Sequence, residues 1–428
     1  MTDTSVTDLL ARGAGVAAGG SAGGPLAVKE HAHGPGAPKV DSRSRATSRR
    51  SFDPDSFGVP MGREEDWRFT PLEPIAELLK GVPSDAHLAL ETDLPDGVTV
   101  RTLPAGDPLL SSVPVPVDRA AALAYARSPR AMVVSVAAEA QLDRPVTLRL
   151  RGTGDLVWQH LVIDVGALAK ATVVLEHSGS ARYGSLVSVL VGDGAQVELV
   201  AVQGWDDGSV HLAHQGWRVG RDARVQSTQV TLGGALVRVV ETAEFTGTGG
   251  DVELHGISFA DAGQHLEHRL FVDHAYPHCR SHVTYKNALQ GEAAHTVWVG
   301  DVLIRTAAEG TDTYELNRNL VLTDGARADS VPNLEIETGE IVGAGHASAT
   351  GRFDDEQLFY LQARGIPEEE ARRLVVLGFF MDVLQKIGVP VLRERLLDAI
   401  LAELGQTRDP AAGLLDGTQD EVLEGTSA

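Results

Sequence analysis

His265, His268, His274, His278, Cys279, His282 and His295 crowd into one stretch of this 428-residue chain. Neutral imidazole and thiolate are ligands for zinc and iron, so the stretch is the first place to look for a metal. Its spacing argues against one shared site. Alternate residues of an extended chain face opposite sides, so His274, His278 and His282 share a face only on an unbroken strand, and Pro277 interrupts it. Solvated or hydrogen-bonded histidines are the expectation here, and a tight turn accounts for His274, Pro277, Cys279 and Ser281 as well as a metal site does. His346 has a different setting, a segment broken by Gly343, Gly345 and Gly351. Its ring can pack as a structural histidine or ligate iron, and its small neighbours leave room for a ligand or a partner backbone. The paired carboxylates Asp206-Asp207 and Asp354-Asp355 read as turn and cap residues, because nothing fixes a general-acid partner beside them. Gly343 to Gly351 lacks the Lys-Ser/Thr of a nucleotide cradle, so any ATP-dependent work falls to another chain. With Cys279 as the sole cysteine, a resident iron–sulfur cluster held by several thiolates is not expected.

The elements that position these residues show in the periodicity. Residues 132–350 alternate apolar and polar, as at Val146, Leu148, Leu150 and Leu161, Ile163, Val165, while Leu186 to Val191 is more continuously apolar. Glycine-rich punctuation begins at Val165, Val191, Val219 and Thr246, giving steps of 26, 28 and 27. A steady period of this size without helical pattern predicts stacked turns of a β-solenoid. A sandwich would show turn signals every 8–12 residues without the longer period. Before this core, residues 51–131 read as a helical region, with Leu72, Ile75, Leu78 and Leu79 on one face and a short helix over Asp118 to Arg127. After it, residues 351–428 read as a helical domain with an acidic tail from about Gly405. Asp354 and Gln357 suggest a capping box, Asp355 to Ala363 a helix closed by Gly365, and Pro367 and Pro390 the starts of two more. The inward face of the second would be Ala371, Leu374, Val375, Gly378, Met381, Leu384 and Ile387, and of the third Leu392, Leu396, Ala399 and Ile400.

Composition bounds the partners. A net charge of −22 argues against nucleic acid or an anionic membrane, both of which require a basic face. No apolar run is long enough to span a bilayer and no signal-peptide core is present, so the expected compartment is the cytoplasm. Residues 1–50, rich in Gly, Ala, Ser and Arg, lack an apolar period and are expected to be disordered; a targeting peptide is the alternative.

Three segments carry a family resemblance: Pro332-Asn333-Leu334-Glu335-Ile336, His346 with its small followers, and Asp355 to Leu361 ending in Ala363-Arg364-Gly365-Ile366. With Trp67-Arg68-Phe69-Thr70 after Glu64, Glu65 and Asp66, they resemble the SufD branch of the SufB/SufD family of iron–sulfur cluster assembly subunits. The resemblance covers most of the chain and is strongest from about His265 to Ile387. It implies a mainly β protein, a right-handed parallel β-helix flanked by N- and C-terminal helical regions. It implies a non-catalytic scaffold that pairs with SufB through the β-helix and binds the SufC ATPase through its C-terminal helices. Sulfur would come from a cysteine desulfurase system. No cofactor would be held permanently, and His346 would be a metal ligand for transient iron or a nascent cluster at the SufB contact. Many relatives carry Cys two residues before this histidine; Ala344 stands there, so thiolate ligation would fall to SufB. Alternatives are a SufB-like cluster scaffold, against which the lone cysteine speaks, a β-helix carbohydrate-active enzyme, and a purely structural solenoid adaptor.

Overall fold

The computed structural model describes residues 48–353 and 355–405. The expectations for residues 1–47, for the capping box at Asp354 and Gln357, and for the acidic tail lie outside the described residues and side chains. A short helix α1 (Ala76–Lys80), strands β1 (Ala89–Asp93) and β2 (Val98–Pro104) and helix α2 (Arg119–Arg127) come first. The segment expected to be helical therefore also holds two strands. They run antiparallel to the solenoid, β1 on β4 (Val146–Val165) and β2 on β3 (Arg130–Val136). Helix α2 starts where Asp118 caps it, its carboxylate accepting from the amide of Ala121 at 2.9 Å.

From β3 onward the chain winds as a parallel β-solenoid of about 8 turns. After β4 and the long β5 (Lys170–Val191) come β6 (Gln196–Trp205), β7 (Val210–Val219), β8 (Arg224–Thr231), β9 (Leu236–Phe245) and β10 (Asp251–Ala260). Then follow β11 (His265–His274), β12 (Arg280–Leu289), β13 (His295–Ile304), β14 (Asp312–Val321), β15 (Arg327–Ile336) and β16 (Gly343–Arg352). Odd-numbered strands from β5 to β15 stack as one sheet and even-numbered strands from β6 to β16 as the other, facing it. Pairing along the even sheet takes Gln196 to Arg224, Asp251, Arg280, Asp312 and Gly343, steps of 28, 27, 29, 32 and 31. The period expected from the first corners is thus present, and it lengthens towards the end. Strand length stays nearly constant while the corners grow, from 192–195 between β5 and β6 to 305–311 between β13 and β14.

Two columns of residues make the corners stackable. Gly166, Gly192 and Gly220 sit against the turn before; a Cβ at Gly192 would lie 2.5 Å from the amide nitrogen of Ala167. Beside them Leu168, Gly194, Asp222, Gly249, His278 and Gly310 all have positive φ. Each donates its amide to a carbonyl one turn further along, from Asp193 for Leu168 to Glu340 for Gly310.

The lumen between the sheets is filled by alternate residues, aliphatic in the early turns: Val146, Leu148, Leu161, Ile163, Val189 and Leu199 are fully buried. Each such side chain contributes roughly 1.5–3 kcal/mol by leaving water. The outer faces are covered as well, which explains the unbroken apolar run at Leu186 to Val191. Val187, Val189 and Val191 join the lumen core, while Leu186 packs outward with Leu78, Leu79 and Leu123 from α1 and α2. The Trp67-Arg68-Phe69-Thr70 segment docks on the same sheet. Trp67 lies 4.0 Å from the guanidinium of Arg238, and Thr70 Oγ1 donates to Glu267 at 2.7 Å.

Helices α3 (Asp355–Ala363), α4 (Glu368–Leu384) and α5 (Pro390–Gly405) follow the last strand, with Gly365 at φ +85° closing α3. Helices α4 and α5 cover the outer face of the even sheet, over Val200, Val230, Ile257, Phe259 and Leu320. The buried face of α4 and the turn after it is Ala371, Val376, Phe380, Val383, Leu384 and Ile387. Ala371, Leu384 and Ile387 are as expected from spacing, but Val376, Phe380 and Val383 replace Leu374, Val375, Gly378 and Met381. The two phenylalanines at 379 and 380 explain the shift: Phe380 is wholly buried between helix and sheet and rotates the stripe with it. On α5, Leu392, Leu396 and Ile400 are buried as expected.

Candidate functional site at the open end of the solenoid

The first turns are flanked by β1 and β2, but β15 and β16 end their sheets with nothing paired beyond them among the described residues. Main-chain parity decides what these edges offer. Arg327 and Glu337 donate inward to Ala294 and Ile304, and Gly343 and Phe353 inward to Thr311 and Val321. Odd-numbered residues therefore hold the ladder and even-numbered ones point their amides outward. His346 presents its main chain to the open edge, as do Ala344 and Ser348 in β16 and Leu334 and Ile336 in β15. Pro332 falls on an outward position, where its missing N–H costs the internal ladder nothing.

Side chains of these even positions face the lumen, which is polar here. Ser258, Asn287, Asn319 and Thr350 are register partners on β10, β12, β14 and β16. Ser258 donates to Asn287 at 2.6 Å, Asn287 to Asn319 at 2.8 Å, and Asn319 to Thr350 at 2.9 Å. Ser330 and Ser348 both donate to Asn317 Oδ1, at 2.7 and 3.3 Å. His346 lies two residues before Ser348 on the same side of β16 and is exposed at the rim. Its register partner is Glu315, whose side chain is fully buried in the lumen. Among the described residues neither carboxylate oxygen of Glu315 has a hydrogen-bond partner, and burial pushes its carboxyl up to about 8. Trp298 Nε1 and Thr296 Oγ1, which belong to the facing sheet, are also buried and unpaired.

The histidine-rich stretch is divided among strands and corners. His274 ends β11, where Nε2 lies 2.9 Å from Ser281 Oγ and the ring packs on Phe245. His278 occupies the left-handed corner under Gly310, and His282 faces outward on β12 beside Glu253. His268 meets Thr231 in the lumen. Only His265 and His295 join, paired in register with their rings edge to face and Nδ1 atoms 3.1 Å apart, their Nε2 atoms against Glu267 and Asp329 at 3.0 and 2.7 Å. Cys279 is buried in the core with its thiol pushed up by burial and its Sγ donating to the carbonyl of Gly247. Among the described residues no three His, Cys, Asp or Glu groups converge on a metal position. Asp206 lies in the corner between β6 and β7 and accepts from Ser180 Oγ, a turn role.

The family model for the SufBD core domain of the SUF system for iron–sulfur cluster assembly matches residues 148–379. The chain belongs to the SufB/SufD family. It is 52% identical over 363 residues to an iron–sulfur cluster assembly SufBD family protein of Mycobacterium tuberculosis, covering 83% of this chain and 91% of that one. The iron–sulfur cluster assembly proteins SufD of Escherichia coli and Bacillus subtilis are each 26% identical, over 249 residues (57% of both chains) and 223 residues (51% and 50%). The SufB/SufD core match spans most of the solenoid, both open edges and most of α4. It therefore includes Glu315, which the sequence analysis did not single out. Its signal was present: Thr313, Glu315, Asn317 and Asn319 are four successive lumen-facing residues of β14 and all are polar, an unusual pattern for a lumen face. Among the described residues no helix is long and apolar enough to cross a membrane.

Proposed function

We propose that this chain is the SufD-type scaffold subunit of an iron–sulfur cluster assembly complex, itself without catalytic activity. It pairs with SufB at the open end of the solenoid, engages the SufC ATPase through α3 to α5, and receives sulfur that originates from a cysteine desulfurase. His346 holds iron or a nascent cluster transiently at the SufB contact, and the complex works in the cytoplasm. The observation that carries this proposal is the exposed His346 on an unpaired strand whose outward main chain is free to extend a partner's sheet. One or few ligands from this chain, imidazole among them, suit a cargo that must be handed on, and the one thiol of the chain is buried far from the edge strands in sequence and held in the core. Outward-facing Phe359, Tyr360 and Val391 support a docking role for the C-terminal helices. Truncation at residue 367 is a poor test of that role, because α4 and α5 cover the apolar outer face of the even sheet.

The test is His346→Ala, co-expressed with SufB and SufC and purified as a complex. Assembly and ATP hydrolysis should remain near normal, while cluster formation under anaerobic iron and sulfide donation should fall by at least tenfold. Wild-type cluster formation, or failure to assemble with SufB, would return His346 to a structural role.

A further inference from the structure

We propose that Glu315 is a second iron ligand of this chain, acting with His346 at the mouth of the lumen; the inference rests on the function proposed above, which takes the cargo to be iron. Glu315 and His346 are register partners on adjacent parallel strands and face the same side. Neighbouring strands lie about 4.8 Å apart, so a carboxylate and an imidazole at paired positions can converge on one ion at first-row bond lengths of about 2.0–2.2 Å.

The state of the carboxyl group is the second observation. Glu315 is fully buried, yet both oxygens lack a hydrogen-bond partner among the described residues. Leaving a buried carboxyl without a hydrogen-bond partner costs several kcal/mol, so such a group calls for a reason. Glu241, deeper in the same lumen, shows what a structural carboxylate looks like here. It accepts from Gln215 at 2.7 Å, Trp217 at 2.8 Å, Ser227 at 2.6 Å and Tyr285 at 3.1 Å. Glu315 has no such donors and instead points its head at Gly300, where a Cβ would stand 2.5 Å from Oε1. The space for the carboxyl is kept, but the partners are missing. A cation arriving beside His346 would supply one.

Oxygen and nitrogen donors together suit iron(II), and two donors from this chain leave the remaining positions to water or to a partner's side chains. A site of this kind binds weakly by itself and exchanges readily, as a loading site requires.

The experiment is an anaerobic titration of the full-length chain with iron(II), and with cobalt(II) as a visible probe, followed by absorbance and equilibrium dialysis. The wild type should bind one ion per chain. Glu315→Gln and His346→Ala should each weaken binding at least tenfold, whereas Glu241→Gln, removing the other lumen carboxylate, should not. Thermal melts of each variant exclude loss of fold as the cause. Wild-type affinity in Glu315→Gln, an equal loss in Glu241→Gln, or no binding by the wild type would each overturn the inference. If Glu315→Gln binds normally while His346→Ala does not, the role of Glu315 falls and that of His346 stands. If His346→Ala binds iron normally and still builds clusters on the complex, the functional proposal falls.

Discussion

The first turns of the solenoid and the last turns are built on the same backbone and filled differently. Around β4 and β5 the lumen is aliphatic, the outer face is covered by α1 and α2, and antiparallel strands flank the start. Around β14, β15 and β16 the lumen carries Asn317, Asn319, Ser330 and Ser348 and holds Glu315, and among the described residues that carboxyl and the two strand edges have no partner. Hydrophobic burial stabilises the first region, and the parallel ladder carries that order into the second, where side chains are released from core packing. Polar groups accumulate where packing does not need the position.

The largest expected effect separating the two regions is acid sensitivity. His160, His177, His214, His268 and His274 lie in the closed turns, and burial holds each at about 4 against an ordinary value of 6.5. An unfolded chain takes up protons below about 6.5 that the folded imidazoles refuse until about 4, so stability is intact above this window and declines as pH falls through it. The slope is about 1.4 kcal/mol per pH unit for each imidazole that stays neutral. Denaturant midpoints at pH 7.5 and 5 should differ accordingly; equal midpoints would mean that the closed turns admit the proton.

Next in size is Leu148→Ala, which removes a fully buried side chain from the aliphatic lumen. It should cost about 2–5 kcal/mol by chemical denaturation, against less than about 1 kcal/mol for Ser348→Ala at the open rim. Comparable losses would erase the distinction between a packed and a released end.

Smallest in stability, though not in assembly, is Ile336→Pro. Position 336 points its amide outward, so proline there removes an edge donor while the ladder to β13 keeps its odd-numbered bonds. Stability should change by less than about 1 kcal/mol, and affinity for SufB, measured by calorimetry, should drop at least tenfold. Unchanged affinity in a folded variant would move the interface away from β15.

How much of this was legible in the sequence follows from which interactions are local. Gly166, Gly192 and Gly220 announced the corners because a Cβ cannot fit there, and Pro367 and Pro390 announced helices because of their fixed φ. The drift of the period from 26 towards 32 was hidden, since the growth lies in irregular corners such as 305–311. Strands β1 and β2 were missed because their burial is slight and their order depends on β3 and β4. His265 meets His295, and Glu315 falls opposite His346, through register alone, which no spacing rule applied to one strand supplies. Phe380 set the buried face of α4 against the stripe read from Leu374 and Met381.

The corner column has a consequence for growth. Leu168, Gly194, Asp222, Gly249, His278 and Gly310 each pass one amide to the next turn, every step in the same sense. Inserting part of a turn would break this translational repeat, whereas inserting a whole turn would leave every step as it was. Length along the axis is therefore quantised, in increments of about 4.8 Å per turn. A partner touching both the helices on the flank and the strands at the tip would meet a ruler graduated in turns, on which surface substitutions leave the markings in place.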